Sequence, residues 1–433
     1  MIDLFPYQVE GARFLATAQS KGRLLADEPG LGKTAQAIAA CDALGADRVM
    51  VVCPASVAEH WRREFTRFGE GREQYVNVVS YDAVSRGAEA LQGGKWDVLI
   101  LDEAHYLKNR TSKRTRVILG IEDPDESTRP LLSPGGLIGR ADHVLLLTGT
   151  PTPNHPAELW PALHTLMPDA ILGKNGKPLP YHGFVNKFCK TRGNGFGIVI
   201  TGGKNLPELR ERIAPFVLRR KKDDVLKDLP PIRFTELPLS SEFKMPPEVA
   251  ALVPKVAAAI EAHGVDGLNA IASHVATLRR FTGLAKVAPA SAWIRDALDG
   301  GIEKLVVFAY HREVLQALTV DAAKNGIGYA CLTGATTDRQ EEVDRFKNSG
   351  VCRVFFGQIQ AAGVGINLTV ASHLVLLEQS WVPAENEQAA MRIHRVGQNN
   401  ACLVRVASLA RSIDERISRA VIRKLETINA LWA

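Results

Sequence analysis

The segment Ala26-Asp27-Glu28-Pro29-Gly30-Leu31-Gly32-Lys33-Thr34 follows an apolar start, Leu24-Leu25, and opens a run of Ala and Ile residues with helical character. A glycine-containing turn at a helix start directs backbone N–H groups and the positive end of the helix dipole toward phosphate oxygens. In such a loop Lys33 reaches the β- and γ-phosphates and Thr34 ligates Mg²⁺. A second stretch, Val98-Leu99-Ile100-Leu101-Asp102-Glu103-Ala104-His105, is a buried-strand signal ending in paired acids. There Asp102 can hold Mg²⁺ through water, and Glu103 can activate an attacking water. Much further along, Arg392 and Arg395 stand three apart within Gln388…Gln398, which sets both on one face of the helix expected there. Two cations so placed suit a γ-phosphate approached from the far side. Together these groups imply a motor-type ATPase.

The elements that must carry them are legible as well. Short β-branched runs alternate with helical patterns at Arg48 to Cys53, Val76 to Ser80, Asp97 to Leu101 and His143 to Thr148. Near-continuous apolar strands separated by helices indicate a parallel sheet covered on both faces. From Pro156 to Pro231 the pattern turns irregular, with Gly-rich loops and the basic run Arg219-Arg220-Lys221-Lys222. Ser241 to Leu298 reads as helices, and a second strand–helix series begins at Lys304-Leu305-Val306-Val307-Phe308. That series continues through Arg353 to Phe356 and His373 to Leu377 to a final amphipathic helix at about Ile413 to Leu431. The expectation is an α/β chain with two RecA-like parallel-sheet lobes in tandem. An ATP-binding lobe spans 1–235 with an insertion at about 156–231, a helical insertion spans 236–300, and a second lobe spans 301–433.

Composition agrees with a large-cored α/β protein. Of the 433 residues, 46% are hydrophobic and 23% charged, ample for two cores. The net charge of +6 permits a nucleic-acid partner without requiring one. No run of about 18 apolar residues suggests a membrane span. The start, Met1-Ile2-Asp3-Leu4-Phe5-Pro6-Tyr7-Gln8, lacks a signal-peptide pattern. Six cysteines without a Cys-x-x-Cys pair read as reduced thiols of a cytoplasmic protein.

In order along the chain, these motifs resemble the Swi/Snf-type ATPases of helicase superfamily 2. Leu4 to Gln8 is similar to the family's adenine-reading segment, with Gln8 as base contact, and Asp27 to Thr34 to its phosphate loop. Cys53-Pro54…Trp61…Glu64-Phe65 and Ser80-Tyr81 resemble motifs Ia and Ib, Asp102 to His105 the DEAH box, and Leu147-Thr148-Gly149-Thr150-Pro151 motif III. In the second lobe, Val307 to His311 resembles motif IV, Gly363-Val364-Gly365-Ile366-Asn367-Leu368 motif V, and Gln388 to Gln398 motif VI. The stretch from Asn205 through Arg219-Arg220 to Leu229-Pro230 looks closest to the annealing-helicase, HepA-related branch. Four departures stand out. Asp27 replaces the generic first glycine, which the family tolerates, and Pro29 replaces a common Met. Ala362 replaces a motif V glycine, stiffening that loop, and Met391 removes a carboxylate beside Arg392.

The resemblance implies a translocase on double-stranded DNA that uses ATP and Mg²⁺, with Asp27, Gly30, Leu31, Gly32, Gly365 and Gln388 also at the nucleotide. ATP on one lobe is completed by Arg392 and Arg395 of the other, so the ATP cycle drives stepping. Hydroxyls at Ser80, Thr148, Thr150, Thr333 and Thr369, with Tyr310-His311, supply expected DNA contacts. Arg219 and Arg220 are read as DNA contacts, as a brace for the second lobe, or as a solvated turn. His105 reads as a core histidine or as a link to motif III or VI, and Trp61 and Trp381 as packing residues. The compact sequence suggests a monomeric bacterial or phage motor in replication, fork repair or restriction, recruited to branched or duplex DNA by a protein partner. A strand-separating DNA or RNA helicase and an ATP-switched DNA-binding subunit are the alternatives.

Overall fold

The structure is a computed structural model that describes residues 4–17, 20–68, 75–87, 94–121, 135–152, 154–193, 198–241, 245–263, 272–362, 365–380, 383–410, 412 and 414–415. Those up to Lys227 form one compact unit and those from Asp228 another. In the first unit the strands are β1 (Gly22–Leu25), β2 (Val49–Cys53), β3 (Val76–Ser80), β4 (Trp96–Asp102), β5 (Ala141–Leu147), β6 (Cys189–Gly193), β7 (Ile198–Gly203) and β8 (Val217–Leu218). Six of them make a sheet in the order β3-β2-β4-β5-β1-β8, parallel throughout. β6 and β7 form a separate antiparallel hairpin.

The apolar runs explain the layering. All five residues of β2 and all four of β1 are buried, as strands covered on both faces require. The helix Ala58–Phe68 buries Trp61 and Phe65, four residues apart on one face, and leaves its charged residues outward. Register sets up the site. Leu147 at the end of β5 is paired with Leu25 on one side and with Asp102 on the other. The chain leaving β1, the acids ending β4 and the turn after β5 therefore share one sheet edge, where ligands of open parallel sheets bind.

The segment read as an irregular insertion is partly integral to this unit. Leu159, Trp160, Leu163, Phe184, Phe188, Leu209 and Ile213 belong to the same buried cluster as the sheet residues Leu24, Leu99 and Leu146. β8 closes the sheet edge beside β1. The sequence pattern fails here because short helices and a two-residue strand carry too little periodicity to register.

In the second unit the strands are β9 (Ile232–Leu239), β10 (Leu305–Ala309), β11 (Gly328–Leu332), β12 (Cys352–Gln358), β13 (His373–Leu376) and β14 (Cys402–Leu409). They form a sheet in the order β11-β12-β10-β13-β14-β9, again all parallel. This corrects the expected boundaries: the division falls at Lys227/Asp228 rather than after 235, and β9 is the edge strand of the second sheet. The helices Pro247–Ala250, Val253–His263, Ala272–Ala285 and Val287–Asp299 lie in this unit too, and Ile294 and Leu298 pack with Leu305 and Val307 of β10. The final amphipathic helix expected at about Ile413 to Leu431 lies outside the described residues but for positions 414–415, as do Gly363, Val364 and Trp381. No described helix is long and apolar enough to cross a membrane. All six cysteines are free thiols.

Candidate active site

The phosphate loop occupies the turn between β1 and the helix Lys33–Ala43, as the sequence predicts. Gly32 caps that helix in the left-handed region, at φ 72°. That backbone conformation favours glycine, and a side chain there would also displace the amide end of Gln8. Gly30 is left-handed as well, at φ 96°, and Leu31 is fully buried. Lys33 Nζ donates to the carbonyls of Asp27 at 2.6 Å and Glu28 at 3.3 Å, which places the ammonium over the loop. Thr34 follows in the first helical turn, half-buried. Gln8 is buried and donates to the Leu31 carbonyl at 3.3 Å, so the segment at the start of the chain's first helix lies against the loop.

The acids are held just as firmly. Asp102 accepts from Trp61 Nε1 at 2.7 Å and from the Glu103 backbone N–H at 2.9 Å, while its own carbonyl accepts from Tyr81 Oη at 2.8 Å. Glu103 is one of two non-glycine residues with positive φ among the described residues, at 50°. A bulky residue held there costs roughly 1–3 kcal/mol, strain that collects where function fixes a side chain. Its carboxylate lies 3.2 Å from His105 Nδ1 and accepts from Thr148 Oγ1 at 3.5 Å. His105 Nδ1 is also 3.1 Å from Thr148 Oγ1 and 3.5 Å from Thr150 Oγ1. The histidine therefore links the acids to the turn after β5. On that turn, a Cβ at Gly149 would stand 2.7 Å from Pro29 Cγ, so motif III packs directly on the phosphate loop.

The donor set fits Mg²⁺ bound as a nucleotide complex. That ion keeps several waters and takes one or two carboxylates plus substrate phosphates. Asp102 and Thr34 are such a sparse set, and no group of three or more His, Cys, Asp and Glu forms a cage among the described residues.

The motif VI arginines lie in the second unit. The helix Pro383–Ala390 ends before them, so the expected helical face is replaced by a chain of turns from Met391 onward. Arg392 is buried and donates through Nε to the Gln388 carbonyl at 3.0 Å. Arg395 donates to the Ile366 carbonyl at 3.3 Å, tying motif VI to motif V just after Gly365. Gln388 is buried, and Gly365 is left-handed at φ 76°.

The expected DNA contacts fare unevenly. Thr148 and Thr150 are buried in the His105 network, which corrects their assignment to a DNA-facing surface. Arg220 is corrected likewise, since its guanidinium is bound to Asp27 at 2.6 Å and to Gln36 at 2.8 Å. Asp27 in turn is fully buried, so it braces the loop and is not exposed to a ligand. Ser80 caps the helix Tyr81–Arg86 by accepting from Ala83 N–H. Thr333 and Thr369 lie in half-buried turns, and Arg219 is half-buried. Tyr310 and His311 are anchored by the buried Glu378, which accepts from both backbone N–H groups and lies 2.7 Å from His311 Nδ1.

A family description for the SNF2-related domain matches residues 7–74, 69–133 and 139–242, more than half of the chain. The chain belongs to the SNF2-related family. A second description, the helicase conserved C-terminal domain, matches residues 292–397 of the same SNF2-related chain. The DNA annealing helicase and endonuclease ZRANB3 of Mus musculus is 29% identical over 91% of this chain and 37% of its own length. The SWI/SNF-related matrix-associated actin-dependent regulator of chromatin subfamily A-like protein 1 homolog of Caenorhabditis elegans is 29% identical over 98% of this chain and 61% of its own. The chain thus spans only part of these curated relatives. Among solved structures, the Sulfolobus solfataricus SWI2/SNF2 ATPase core in complex with dsDNA is 22% identical with a TM-score of 0.43, covering 100% of this chain and 94% of that one.

The partners of three residues of this SNF2-related site escape sequence reasoning. Trp61 reads as core filler, and a strand-to-helix hydrogen bond to an acid 41 residues away leaves no local signal. Glu378 and Arg220 likewise act through partners distant in sequence. Trp61 bears on proton affinity. Burial pushes the Asp102 carboxyl up to about 6, the Glu103 charge adds to the rise, and the Trp61 hydrogen bond and the Lys33 charge oppose it. A carboxyl whose folded-state pKa exceeds its unfolded value binds its proton more tightly when folded, so stability falls as pH rises from about 4 through about 6. In chelator-treated, nucleotide-free protein, the wild type should lose more stability than Asp102→Asn between about pH 5 and about pH 7.5. Urea unfolding of both proteins at the two pH values checks this, and equal losses would refute it.

Proposed function

We propose that this SNF2-related chain is a DNA-dependent ATPase that moves along double-stranded DNA, with fork remodelling or strand annealing as its use. The observation that carries the chemistry is the fixed pair of acids beside the phosphate loop. The Trp61 hydrogen bond fixes the Asp102 carboxylate, which supports its reading as a water-mediated Mg²⁺ ligand. Glu103 is turned by its left-handed backbone into a bonded contact with His105, suited to orienting and deprotonating water. Lys33 and Thr34 hold the phosphates and ion, and Gln8 reads the base. Arg392 and Arg395 stabilise charge on the transferring phosphoryl group. Bound Mg²⁺ would supply charge neutralisation at the phosphates.

Duplex DNA as track is supported by family membership and by relatives whose names describe annealing helicases acting on DNA. Ser80, Arg219, Tyr310, His311, Thr333 and Thr369 are the proposed phosphate-facing positions. ATPase rates with duplex, single-stranded and forked DNA, alongside triplex displacement and strand-unwinding assays, test the reading. Duplex should stimulate at least as well as single strands, and a third strand should be displaced without the duplex opening. Stimulation by single strands alone, with efficient unwinding of tailed duplexes, would establish a strand-separating helicase instead.

The salt dependence of binding separates the two adjacent arginines. Removing one cation that neutralises a duplex phosphate should lower the log–log salt slope by about 0.9. Arg219→Ala should show that reduction. Arg220→Gln, which also removes a cation, should leave the slope unchanged, because that guanidinium is engaged inside the lobe. Binding isotherms between low and moderate salt give both slopes, and the reverse pattern would undo the assignment.

A further inference from the structure

We propose that Arg220 is a positioning residue for the phosphate loop, joining the loop to the segment that leads out of the first unit. This rests on the ATPase reading above. The loop and the segment are zipped together residue by residue. Ala26 N–H donates to the Leu218 carbonyl at 2.7 Å and Glu28 N–H to the Arg220 carbonyl at 3.2 Å. In the other direction, Arg220 N–H donates to Asp27 Oδ1 at 3.0 Å and Lys222 N–H to Glu28 Oε2 at 2.9 Å. Both strands of the zipper therefore move as one.

The guanidinium fastens it. Arg220 grips the Asp27 carboxylate with both arms, Nε to Oδ1 at 3.1 Å and Nη2 to Oδ2 at 2.6 Å. Nη2 also donates to Gln36 Oε1 at 2.8 Å, and Nη1 to the Tyr7 carbonyl and to Glu10 Oε2 at 3.3 Å. Gln36 completes the ring by donating to Asp27 Oδ2 at 3.2 Å and to the Leu31 carbonyl at 3.1 Å. One planar fork thus holds the loop entry, the helix that follows the loop, and the helix Pro6–Ala16 that carries Gln8. Asp27 is fully buried, so water cannot take the place of the guanidinium at the carboxylate end of this pair. The Asp27 carbonyl is also the acceptor for Lys33 Nζ, which makes the position of Asp27 a constraint on the lysine.

What gives the arrangement consequence is where the segment goes next. The short helix Lys222–Val225 starts two residues beyond Arg220, and the first unit ends at Lys227. A phosphate drawn into the loop that shifts Asp27 or Glu28 therefore pulls on the chain at its exit from the unit. Conversely, tension on that exit is felt at the loop. An ammonium supplies no bidentate fork and reaches fewer of these acceptors, so Arg220→Lys keeps the charge and loses the geometry.

The test reads affinity, turnover and local exchange in Arg220→Lys, Asp27→Asn and the wild type. With a fluorescent ADP as probe, Arg220→Lys should bind about tenfold more weakly and show a matching rise in KM for ATP, with kcat within about twofold. Hydrogen exchange should show residues 218–226 gaining protection when ADP binds the wild type, and losing that response in both variants. Arg220→Lys is the milder change. If Asp27→Asn fails to fold, Arg220→Lys still decides the matter. A merely structural pair would lower the melting temperature and leave ADP affinity and the exchange response intact, and that result would overturn the proposal. Wild-type protein that binds ADP without any change at 218–226 would overturn it too. Wild-type protein that binds no ADP would instead sink the ATPase reading and take this inference with it.

Discussion

Glu103→Gln should bind ATP with wild-type affinity and hydrolyse it about 10² to 10⁴ times more slowly, the usual contribution of a positioned general base. The substitution preserves size, the close contact with His105 and an acceptor for the Thr148 hydroxyl while removing the proton acceptor. It also keeps the left-handed backbone at this residue, since the strain lies in the main chain whichever of the two side chains is present. Lys33→Ala should fail at the earlier step, because the loop loses the ammonium held above it and the phosphates lose that cation. Single-turnover hydrolysis together with equilibrium binding of ATP separates these two failures. A Glu103→Gln protein turning over at the wild-type rate would remove Glu103 from the role of base, whatever else the site does.

The reach of sequence reasoning follows the range of the interactions involved. The phosphate loop, the paired acids and most central strands are legible because each is a local pattern: a Gly-Lys turn, or a run of buried β-branched residues. The register that puts Leu25, Asp102 and Thr148 on one edge is non-local but follows from parallel pairing, so the site can be assembled in outline. β9 escapes because Ile232 to Leu239 contains Pro238 and an exposed Phe234, features of an edge strand that weaken the apolar signal. β8 is two residues long and has no period to read. Arg219 and Arg220 look alike in sequence as a basic pair. Only the fold shows that Arg220 has a buried carboxylate 193 positions earlier as its partner. Thr148 and Thr150 illustrate the same limit, since a hydroxyl after a strand can face either a ligand or a neighbouring histidine.

Arg392→Ala and Arg395→Ala should each leave ADP affinity within a few-fold of wild type and reduce DNA-stimulated turnover by about 10³ to 10⁵, the range of arginine fingers. The segment that carries them is also held by bonds from outside those two side chains. Gln398 donates to the carbonyls of Thr369, Ala371 and Ile393, and Leu368 N–H donates to the Arg392 carbonyl at 3.0 Å. Those bonds come from the backbone and from Gln398, so they survive truncation at 392 or 395. The two arginines should nevertheless differ in one respect. Arg392 is buried and donates to the Gln388 carbonyl, so its truncation removes a buried hydrogen bond and packed side-chain atoms and should lower thermal stability. Arg395 is half-buried and should be lost at little cost to stability. Lysine at either position keeps a cation without the fork and should recover only part of the rate. Measured kcat, ADP affinity and melting temperature for the alanine and lysine variants discriminate the contributions. Because the effect is confined to the transition state, kcat and kcat/KM should fall together. A rise in KM with unchanged kcat would show that these arginines bind nucleotide in the ground state, and the assignment to phosphoryl transfer would have to be withdrawn.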